Sequence, residues 1–274
     1  MNIKNMAQKI VTHYWKHSGK RAAPIKVTSC ELVNGEERCI YTIKLNPGTQ
    51  ESLIFNRAKD IQTALQLPLF QPFKENLTVR IAVSEKPINE NSLRKMLNSS
   101  AICRSKMILP IALGYDMRGA MRFVDLVKLI HAMYAGSTGS GKSVGLWSLI
   151  ASIIYLQPVK KVNLLLFDVG AYALDIFAGI PHLSYSIIKD VNTAVYVLLK
   201  LVAELERRMK LSINELVHEP ALISIIDEYL SILSNISDKK LAQLIIDCIS
   251  TILRHGRQAK MFLVVALKTL LLKI

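Results

Sequence analysis

The stretch GSTGSGKS, residues 136–143, has the residue types and spacing of a loop that holds nucleotide phosphates. Its glycines let backbone N–H groups turn towards a β-phosphate, helped by the N-terminus of the helix that follows. Lys142 is predicted to reach the β- and γ-phosphates, and the Ser143 hydroxyl to hold Mg²⁺. The predicted nucleotide-binding residues are Gly136, Ser137, Thr138, Gly139, Ser140, Gly141, Lys142 and Ser143.

The segments on either side of this loop decide between a nucleotide site and a chance glycine-rich turn. Residues 130–135, IHAMYA, are strand-like, and residues 144–156, VGLWSLIASIIYL, form an apolar helical segment. A strand before the loop and a helix after it are the context that the motif requires. The sequence therefore predicts that the loop binds a nucleoside triphosphate.

A second candidate is the pair of acids that ends ALISIIDE, residues 221–228. An acid at the carboxyl end of a buried parallel strand lies in the crevice where ligands bind. Asp227 is predicted to join Ser143 around Mg²⁺, and Glu228 to orient or deprotonate the attacking water. The alternative is that the two acids merely begin a loop. Together with the phosphate loop, they favour ATP hydrolysis over phosphoryl transfer to a small acceptor.

Two arginines, Arg254 and Arg257, end a predicted helix shortly before the next strand. A positive charge at a helix C-terminus is favourable by itself, so a capping role is one interpretation. The other is a finger that completes a neighbouring subunit's site and stabilises charge on the γ-phosphate, with Arg257 as the preferred candidate. The residues alone leave both interpretations open.

The elements that must position these residues alternate between strands and helices. Near-continuous apolar segments at 161–168, 221–228 and 261–267 are predicted strands, and 191–211 and 238–258 are predicted helices. This alternation indicates a mainly parallel sheet that is covered by helices on both faces. The predicted fold class is therefore α/β.

The chain before this region has a different pattern. Four elements are predicted there: a strand at 39–48, a helix at 49–67, a strand at 77–85 and a helix at 91–98. Thr49 with Ser52 can cap the first helix, and Asn91 can cap the second. The predicted domains are a basic leader (1–28), a small α+β module (29–104) and a P-loop ATPase domain (105–274).

The charge of the chain points to a polyanionic partner. Its 274 residues include 35 Lys and Arg against 21 Asp and Glu, which gives a net charge of +14. This favours nucleic acid first and an anionic membrane surface second, the alternative being a solvated, lysine-rich surface. No acid precedes Glu31, so the leader either contacts phosphates or forms a flexible tail. Its basic residues are Lys4, Lys9, Lys16, Lys20, Arg21 and Lys26.

Three further features of the sequence indicate the cellular compartment: its apolar runs, its first residues and its cysteines. No apolar run reaches the ~18 residues of a membrane span, and the first residues lack the pattern of a secretory signal. We therefore expect a cytoplasmic protein, membrane-associated only through partners. The 4 cysteines contain no CxxC pair and are expected to be reduced thiols, with a Cys30–Cys39 disulfide as the alternative.

Several ordered motifs resemble those of the FtsK/SpoIIIE family of DNA translocases. They are MYAGSTGSGKSVGLWSLIASIIYL, AGIPHL, the Glu-x-x-x-Arg helix VLLKLVAELERRM, IIDEY, GRQAKMFLVVA and the upstream LPIALGYDMRG. The likeness spans about residues 39–267. The GRQA version of the motif resembles the one in translocases of conjugative elements. The resemblance implies a RecA-like motor that forms a hexameric ring around double-stranded DNA. It implies ATP at residues 136–143, Mg²⁺ at Ser143 and Asp227, water activation by Glu228, and Arg257 acting across the subunit interface.

The chain departs from the family pattern in three places. Asp168, Val169 and Gly170 stand where the family has Asp-Pro-Lys, so a lysine is missing. Residues 266–269, ALKT, replace a Gln-Arg-Pro run, so the polar residue expected to sense the γ-phosphate is absent. Residue 274 follows shortly afterwards, from which we expect a truncated or frameshifted chain.

Three functions are compatible with the phosphate loop. The first is an ATP-driven translocase of double-stranded DNA, in chromosome partition or conjugation. The second is a non-motor remnant that binds ATP and DNA. The third, a small-molecule kinase, requires an arginine-bearing lid and an acceptor pocket, for which the sequence shows no signature.

Overall fold

The structure is a computed structural model that describes residues 3–18, 25–33, 38–84, 92–103, 105–137, 139–170 and 172–268. The chain divides into two compact units. The first comprises residues 1–95 and 114–122, and the second comprises residues 96–113 and 123–274. No helix in the described ranges is both long and apolar enough to cross a membrane.

The first unit combines an antiparallel sheet with helices. Its elements are α1 (Ile3–Ser18), β1 (Ile25–Val33), β2 (Arg38–Leu45), α2 (Ser52–Asn56), α3 (Ala58–Ala64), β3 (Leu69–Glu75) and β4 (Thr78–Ser84). The strand order is β1-β2-β4-β3. Helix α1 buries Met6, Ile10 and Tyr14 in the same core as Ile43 and Ile81 of the sheet, because residues four apart lie on one helix face.

The predicted strands at 39–48 and 77–85 are confirmed as β2 and β4, whereas the single helix predicted for 49–67 is wrong. That segment forms α2 and α3, which are separated at Arg57, where φ is −102° and ψ is 3°. The side-chain cap predicted at the start is absent, since α2 begins after Glu51 without one. Strand β3 was not predicted because it contains Pro72, which an edge strand tolerates.

The leader contains α1 and the start of β1, so its described part is folded. The domain boundaries predicted at residues 28 and 104 stay predictions, and by contacts the first unit comprises residues 1–95 and 114–122. Cys30 and Cys39 lie on neighbouring strands as free thiols. Burial, followed by the nearby Cys39, raises the pKa of Cys30 to about 12, which disfavours the reactive thiolate.

The chain then forms short elements and a hairpin. They are α4 (Leu93–Leu97), α5 (Ser100–Cys103), β5 (Pro110–Tyr115), β6 (Met121–Asp125) and α6 (Leu126–Leu129). Ser92 accepts a hydrogen bond from the Lys95 N–H at 3.2 Å at the start of α4, and the predicted cap Asn91 lies outside the described residues. Asp125 caps α6 by accepting the Val127 N–H at 3.1 Å.

The second unit is built on a four-stranded parallel sheet in the order β7-β10-β9-β8. Its elements are β7 (Ala132–Ala135), α7 (Lys142–Leu156), β8 (Val162–Asp168), α8 (Val191–Met209), α9 (Ile213–Leu216), β9 (Ala221–Asp227), α10 (Tyr229–Ser234), α11 (Lys239–His255) and β10 (Met261–Leu267). The predicted α/β class with a mainly parallel sheet is confirmed.

Alternate residues of the strands enter two separate cores. Phe167, Ile226 and Leu263 point to the face that packs against α8 and α11. Leu166, Ile225 and Val264 enter the opposite core with α7. Both faces are therefore covered, which explains why these strands are continuous apolar runs rather than alternating ones.

A buried arginine joins α8 to this sheet. Arg208 is 3% exposed and its Nε donates to Glu204 Oε1 at 2.7 Å. Its Nη1 donates to the carbonyl oxygens of Pro220 at 2.8 Å and Ala259 at 3.2 Å. Pro220 immediately precedes β9 and Ala259 lies two residues before β10, so one guanidinium connects the end of α8 to the segments that lead into two strands.

We expect Arg208→Met to lower the free energy of unfolding by about 3 kcal/mol, because it removes the buried donor to the Pro220 and Ala259 carbonyls and one of the two arginine partners of Glu204. Arg207→Met is the matched control, since the neighbouring Arg207 also pairs with Glu204 but is 47% exposed. Urea unfolding followed by circular dichroism measures both variants. Equal losses for the two would show that the buried contacts are unimportant.

Candidate functional site

The phosphate loop connects β7 to α7. Gly141 precedes α7 with φ 90°, a left-handed conformation that glycine adopts without strain. A Cβ at Gly136 would lie 2.2 Å from Ser140 Oγ, so a larger residue there would force the Ser140 side chain to move. The first N–H groups of α7 lack acceptors within the helix, which makes this end suitable for an anion.

Hydrogen bonds hold the loop against the sheet. The Gly136 N–H donates to the Leu267 carbonyl of β10 at 3.2 Å. Within the loop the Ser140 N–H donates to the Ser137 carbonyl at 3.1 Å. Because β10 lies between β7 and β9, this contact places the loop beside the carboxyl end of the central strands.

The two predicted acids meet Lys142 at that edge. Asp227, the last residue of β9, is 1% exposed, and its Oδ1 accepts the Lys142 ammonium and the Glu228 N–H. Glu228 Oε1 lies 3.1 Å from Lys142 Nζ. Glu228 itself has φ 54° and ψ 50°, a left-handed conformation in which β9 turns into α10. Such strain in a non-glycine residue is common at functional sites.

The carboxylates determine the charge of Lys142. Burial lowers the pKa of Lys142, but hydrogen bonds to Asp227 and Glu228 outweigh it and raise the pKa above the usual value. The lysine therefore stays protonated. Its ammonium forms ion pairs with both carboxylates.

A third acid, Asp168, ends β8 and lies opposite Asp227 in the sheet register. Its Oδ2 accepts the Leu174 N–H at 2.7 Å. Burial, reinforced by the charge of Asp227, raises its pKa. From the sequence, Asp168 was noted only as part of the departure from the family's Asp-Pro-Lys pattern. An acid at the end of a buried strand nevertheless indicates a position at the same carboxyl edge of the sheet as Asp227.

The loop and the acids line a cleft of about 510 Å³. Its lining comprises Gly136, Ser137, Gly139, Gly141, Lys142, Ser143, Val144, Ala173, Asp227, Glu228 and Lys268. Of the predicted loop residues, Ser140 is exposed in the loop but does not line the cleft, and Thr138 lies outside the described residues. The structure thus brings the other predicted loop residues together with both acids, and their catalytic roles stay predictions.

Lys268 is the cleft residue that sequence reasoning missed. It follows β10, whose Leu267 is paired with Ala135 of β7, so Lys268 comes alongside the start of the phosphate loop. The sequence showed only that a family residue was replaced here. The signal that could have identified Lys268 is its position immediately after a buried strand of the parallel sheet.

The two arginines lie away from this cleft. Arg254 is exposed in the last turn of α11, and its Nε donates to the Ser250 carbonyl at 3.3 Å. Arg257 is exposed in the 3₁₀ helix Gly256–Ala259, just before β10. The cleft is at the other end of β10, about 20 Å away at ~3.3 Å per residue. Arg257 therefore does not reach the cleft of its own chain.

The donor set of the cleft fits Mg²⁺. Asp227 Oδ2 is buried and has no hydrogen-bond partner among the described residues, which leaves an oxygen for a cation. The described part of the chain contains no group of three or more metal-ligating side chains. Mg²⁺ usually keeps several waters and is bound by one or two protein oxygens plus phosphates, and the Asp227 carboxylate and the Ser143 hydroxyl are oxygens of this kind.

Comparisons with known proteins bear on this arrangement. Residues 92–219 match the model of the FtsK/SpoIIIE family, a stretch that includes the phosphate loop and ends before β9. DNA translocase FtsK of Pasteurella multocida is 32% identical over 193 residues, covering 68% of this chain and 20% of the relative. DNA translocase SftA of Bacillus subtilis is 32% identical over 190 residues, with the same coverage. The chain thus spans about a fifth of the length of these relatives.

Solved structures support the fold. The pCW3 conjugation coupling protein TcpA aligns with 97% of this chain and 77% of its own, at a TM-score of 0.52 and 16% identity. ATPases 2 and 3 of EccC from Thermomonospora curvata align with 67% of this chain and 33% of their own. That alignment has a TM-score of 0.53 and 19% identity. At such identities the likeness concerns the fold.

The ion pairs of Lys142 predict coupled stability effects. Lys142→Met leaves Asp227 charged and buried, so we expect the nucleotide-free chain to lose about 3 kcal/mol of unfolding free energy. Adding Asp227→Asn removes the orphaned charge, and we expect the double variant to be more stable than the single one. Urea unfolding of the Lys142→Met, Asp227→Asn and double variants measures this double-mutant cycle. Lys160→Met, at an exposed position, is the control. Additive losses would contradict the pairing.

Proposed function

Because the chain carries a domain of the FtsK/SpoIIIE family, we propose that it binds and hydrolyses ATP with Mg²⁺ and couples hydrolysis to movement of double-stranded DNA. The observation that carries this proposal is the meeting of the phosphate loop, Lys142 and two adjacent acids in one cleft. A loop that holds phosphates beside an acid that can orient water has the parts needed for hydrolysis.

In this proposal each residue of the cleft has a defined task. The N–H groups of the loop and of the start of α7 bind the phosphates, while Lys142 exchanges its carboxylate partners for the β- and γ-phosphates. The Ser143 hydroxyl and Asp227 hold Mg²⁺, which neutralises charge on the phosphates. Glu228, freed from Lys142, orients the attacking water.

DNA as partner is supported by charge and by relatives. The net charge of +14 favours a polyanion, and the curated relatives carry the name DNA translocase. We also propose assembly into a homo-hexamer, in which Arg257 of one subunit contacts the nucleotide of the next. Its distance from the cleft of its own chain supports that role over one in the same subunit. A cytoplasmic location is part of the proposal.

The second candidate is a chain that binds ATP and DNA without moving DNA. It is favoured by the replacements of family residues at Gly170 and Lys268. The two candidates differ in one measurable property, since a motor hydrolyses ATP faster when DNA is present. The conjugation setting is supported by the likeness to a coupling protein's fold.

We expect Glu228→Gln to lower DNA-stimulated ATP hydrolysis at least ~100-fold, because it removes the group that activates water. ATP affinity should stay within a few fold of the original. Lys142→Met should instead weaken ATP binding itself. Phosphate release with and without linear double-stranded DNA, and binding of fluorescent ATP, separate the two effects. Glu206→Gln, at an exposed position on α8, is the control.

A hydrolysis rate that DNA does not change would reject the motor and favour the second candidate. A Lys142→Met chain that binds ATP normally would reject the nucleotide site. Unchanged hydrolysis in Glu228→Gln would reject only the proposed role of that acid.

Lys268 leads to a separate expectation. Among the described residues it forms no ion pair, whereas Lys142 pairs with two acids. If its ammonium contacts the terminal phosphate, Lys268→Met should weaken binding of a non-hydrolysable ATP analogue about tenfold, as loss of one charged hydrogen bond does. ADP binding should change less than twofold, as measured by calorimetry. Lys210→Met is the control, and equal losses for both nucleotides would contradict the contact.

A further inference from the structure

A groove lies in the first unit, far along the chain from the phosphate loop. It has a volume of about 850 Å³ and runs between α1 and residues 64–67, the turn after α3. Lys9, His13 and Lys16 line it at positions i, i+4 and i+7 of α1, and hence from one helix face. We call this feature the α1 groove.

The polar lining of the α1 groove consists of cationic and neutral side chains. Besides Lys9, His13 and Lys16, it is lined by Asn5 and Gln8, whose amides can donate to phosphate oxygens, and by Thr12, whose hydroxyl donates to the Gln8 carbonyl at 2.7 Å. None of the described lining residues is acidic. The sequence explains this, because no Asp or Glu precedes Glu31. The groove therefore has the charge and the hydrogen-bonding groups suited to an anion.

Helix α1 is fixed rather than a free tail. Met6, Ile10 and Tyr14 are buried in the core of the first unit, and the Tyr14 hydroxyl donates to the Ile54 carbonyl at 3.0 Å. Lys9 and Lys16 lie on the flank of the helix beside this buried face and are exposed. The core contacts thus fix the backbone that carries the two lysines, so binding a ligand there does not require a disordered segment to become ordered.

We propose that the α1 groove binds the phosphate backbone of a nucleic acid. Seven residues of helix separate Lys9 from Lys16, about 10 Å at ~1.5 Å per residue. This matches about three base-pair steps of ~3.4 Å, so both ammonium groups can contact phosphates of one duplex. Such contacts fix the position of the protein on DNA and carry no sequence preference.

A membrane surface suits the α1 groove less well. A helix that binds in a lipid interface buries its apolar face among the acyl chains. In α1 that face is occupied by Met6, Ile10 and Tyr14 packing inside the protein. The residues left outside are polar, and they can neutralise phosphates but cannot insert into lipid.

This inference rests on the DNA partner of the proposed function, but it adds a contact surface outside residues 92–219, the stretch that matches the family. It predicts that part of the DNA affinity comes from the first unit. The phosphate loop, Lys142 and the acids have no part in this contact. Loss of the α1 groove should therefore leave ATP binding unchanged.

The test uses the full chain with Lys9→Gln and Lys16→Gln together. Glutamine has a similar helix propensity to lysine, so α1 should stay folded, which circular dichroism checks. The charge-matched control is Lys44→Gln with Lys59→Gln. These two exposed lysines belong to the same unit and do not line the groove. DNA affinity is measured by fluorescence anisotropy at a series of salt concentrations. The probe is a duplex of about 30 base pairs, which is long enough to span several phosphate contacts.

We expect the groove variant to bind DNA at least about tenfold more weakly at 0.1 M salt, with the slope of log K against log salt reduced by about 2. Charge reversal, Lys9→Glu with Lys16→Glu, should weaken binding further. Equal affinity and slope in the groove variant and the unaltered chain would overturn the proposal. So would an equal loss in the control, which would mean that only net charge matters.

Two further outcomes are separate from these. If the groove variant loses binding to phosphatidylserine vesicles but keeps its DNA affinity, the surface serves a membrane and the proposal is overturned. If the unaltered chain binds no DNA, the proposed function itself loses its partner, whatever the variants do. Normal DNA binding with an unaffected groove variant leaves the proposed function standing and rejects the α1 groove alone.

Discussion

The candidate site depends on the parallel alignment of β7, β10, β9 and β8. Because these strands run in one direction, their carboxyl ends lie at one edge of the sheet, where the phosphate loop follows β7 and Asp227 ends β9. The hydrogen bond from Gly136 to Leu267 shows how closely the loop follows the register of the sheet. Two apolar cores on opposite faces maintain the alignment, and this alignment brings the acids at the end of β9 to the phosphate loop.

Much of this arrangement could be predicted from the sequence because the strands carry local signals. Apolar runs identified β8, β9 and β10, and the loop pattern identified the glycines whose conformations the structure shows. The positions of Lys268 in the cleft and of Asp168 opposite Asp227 could not be predicted in this way. Their proximity follows from which strands are neighbours, and strand order is a property of the folded sheet that a single sequence does not display.

The first unit was predicted less well because its signals are weaker. Strand β3 contains Pro72, and the break between α2 and α3 at Arg57 interrupts a continuous helical pattern. The composition of the leader showed that it is basic but left open whether it contacts phosphates or forms a flexible tail. The answer came from Met6, Ile10 and Tyr14, whose spacing of four is an apolar stripe that needs a partner, and the sheet provides it.

The ion pairs of Lys142 compete with the binding of an anion in the cleft. Any anion that approaches the loop competes with Asp227 and Glu228 for one ammonium group, so a small anion such as inorganic phosphate gains little by binding. A divalent cation removes part of this competition when it takes Asp227 as a ligand. In the proposed function, cation and nucleotide therefore bind with positive cooperativity, each strengthening the other by the same factor.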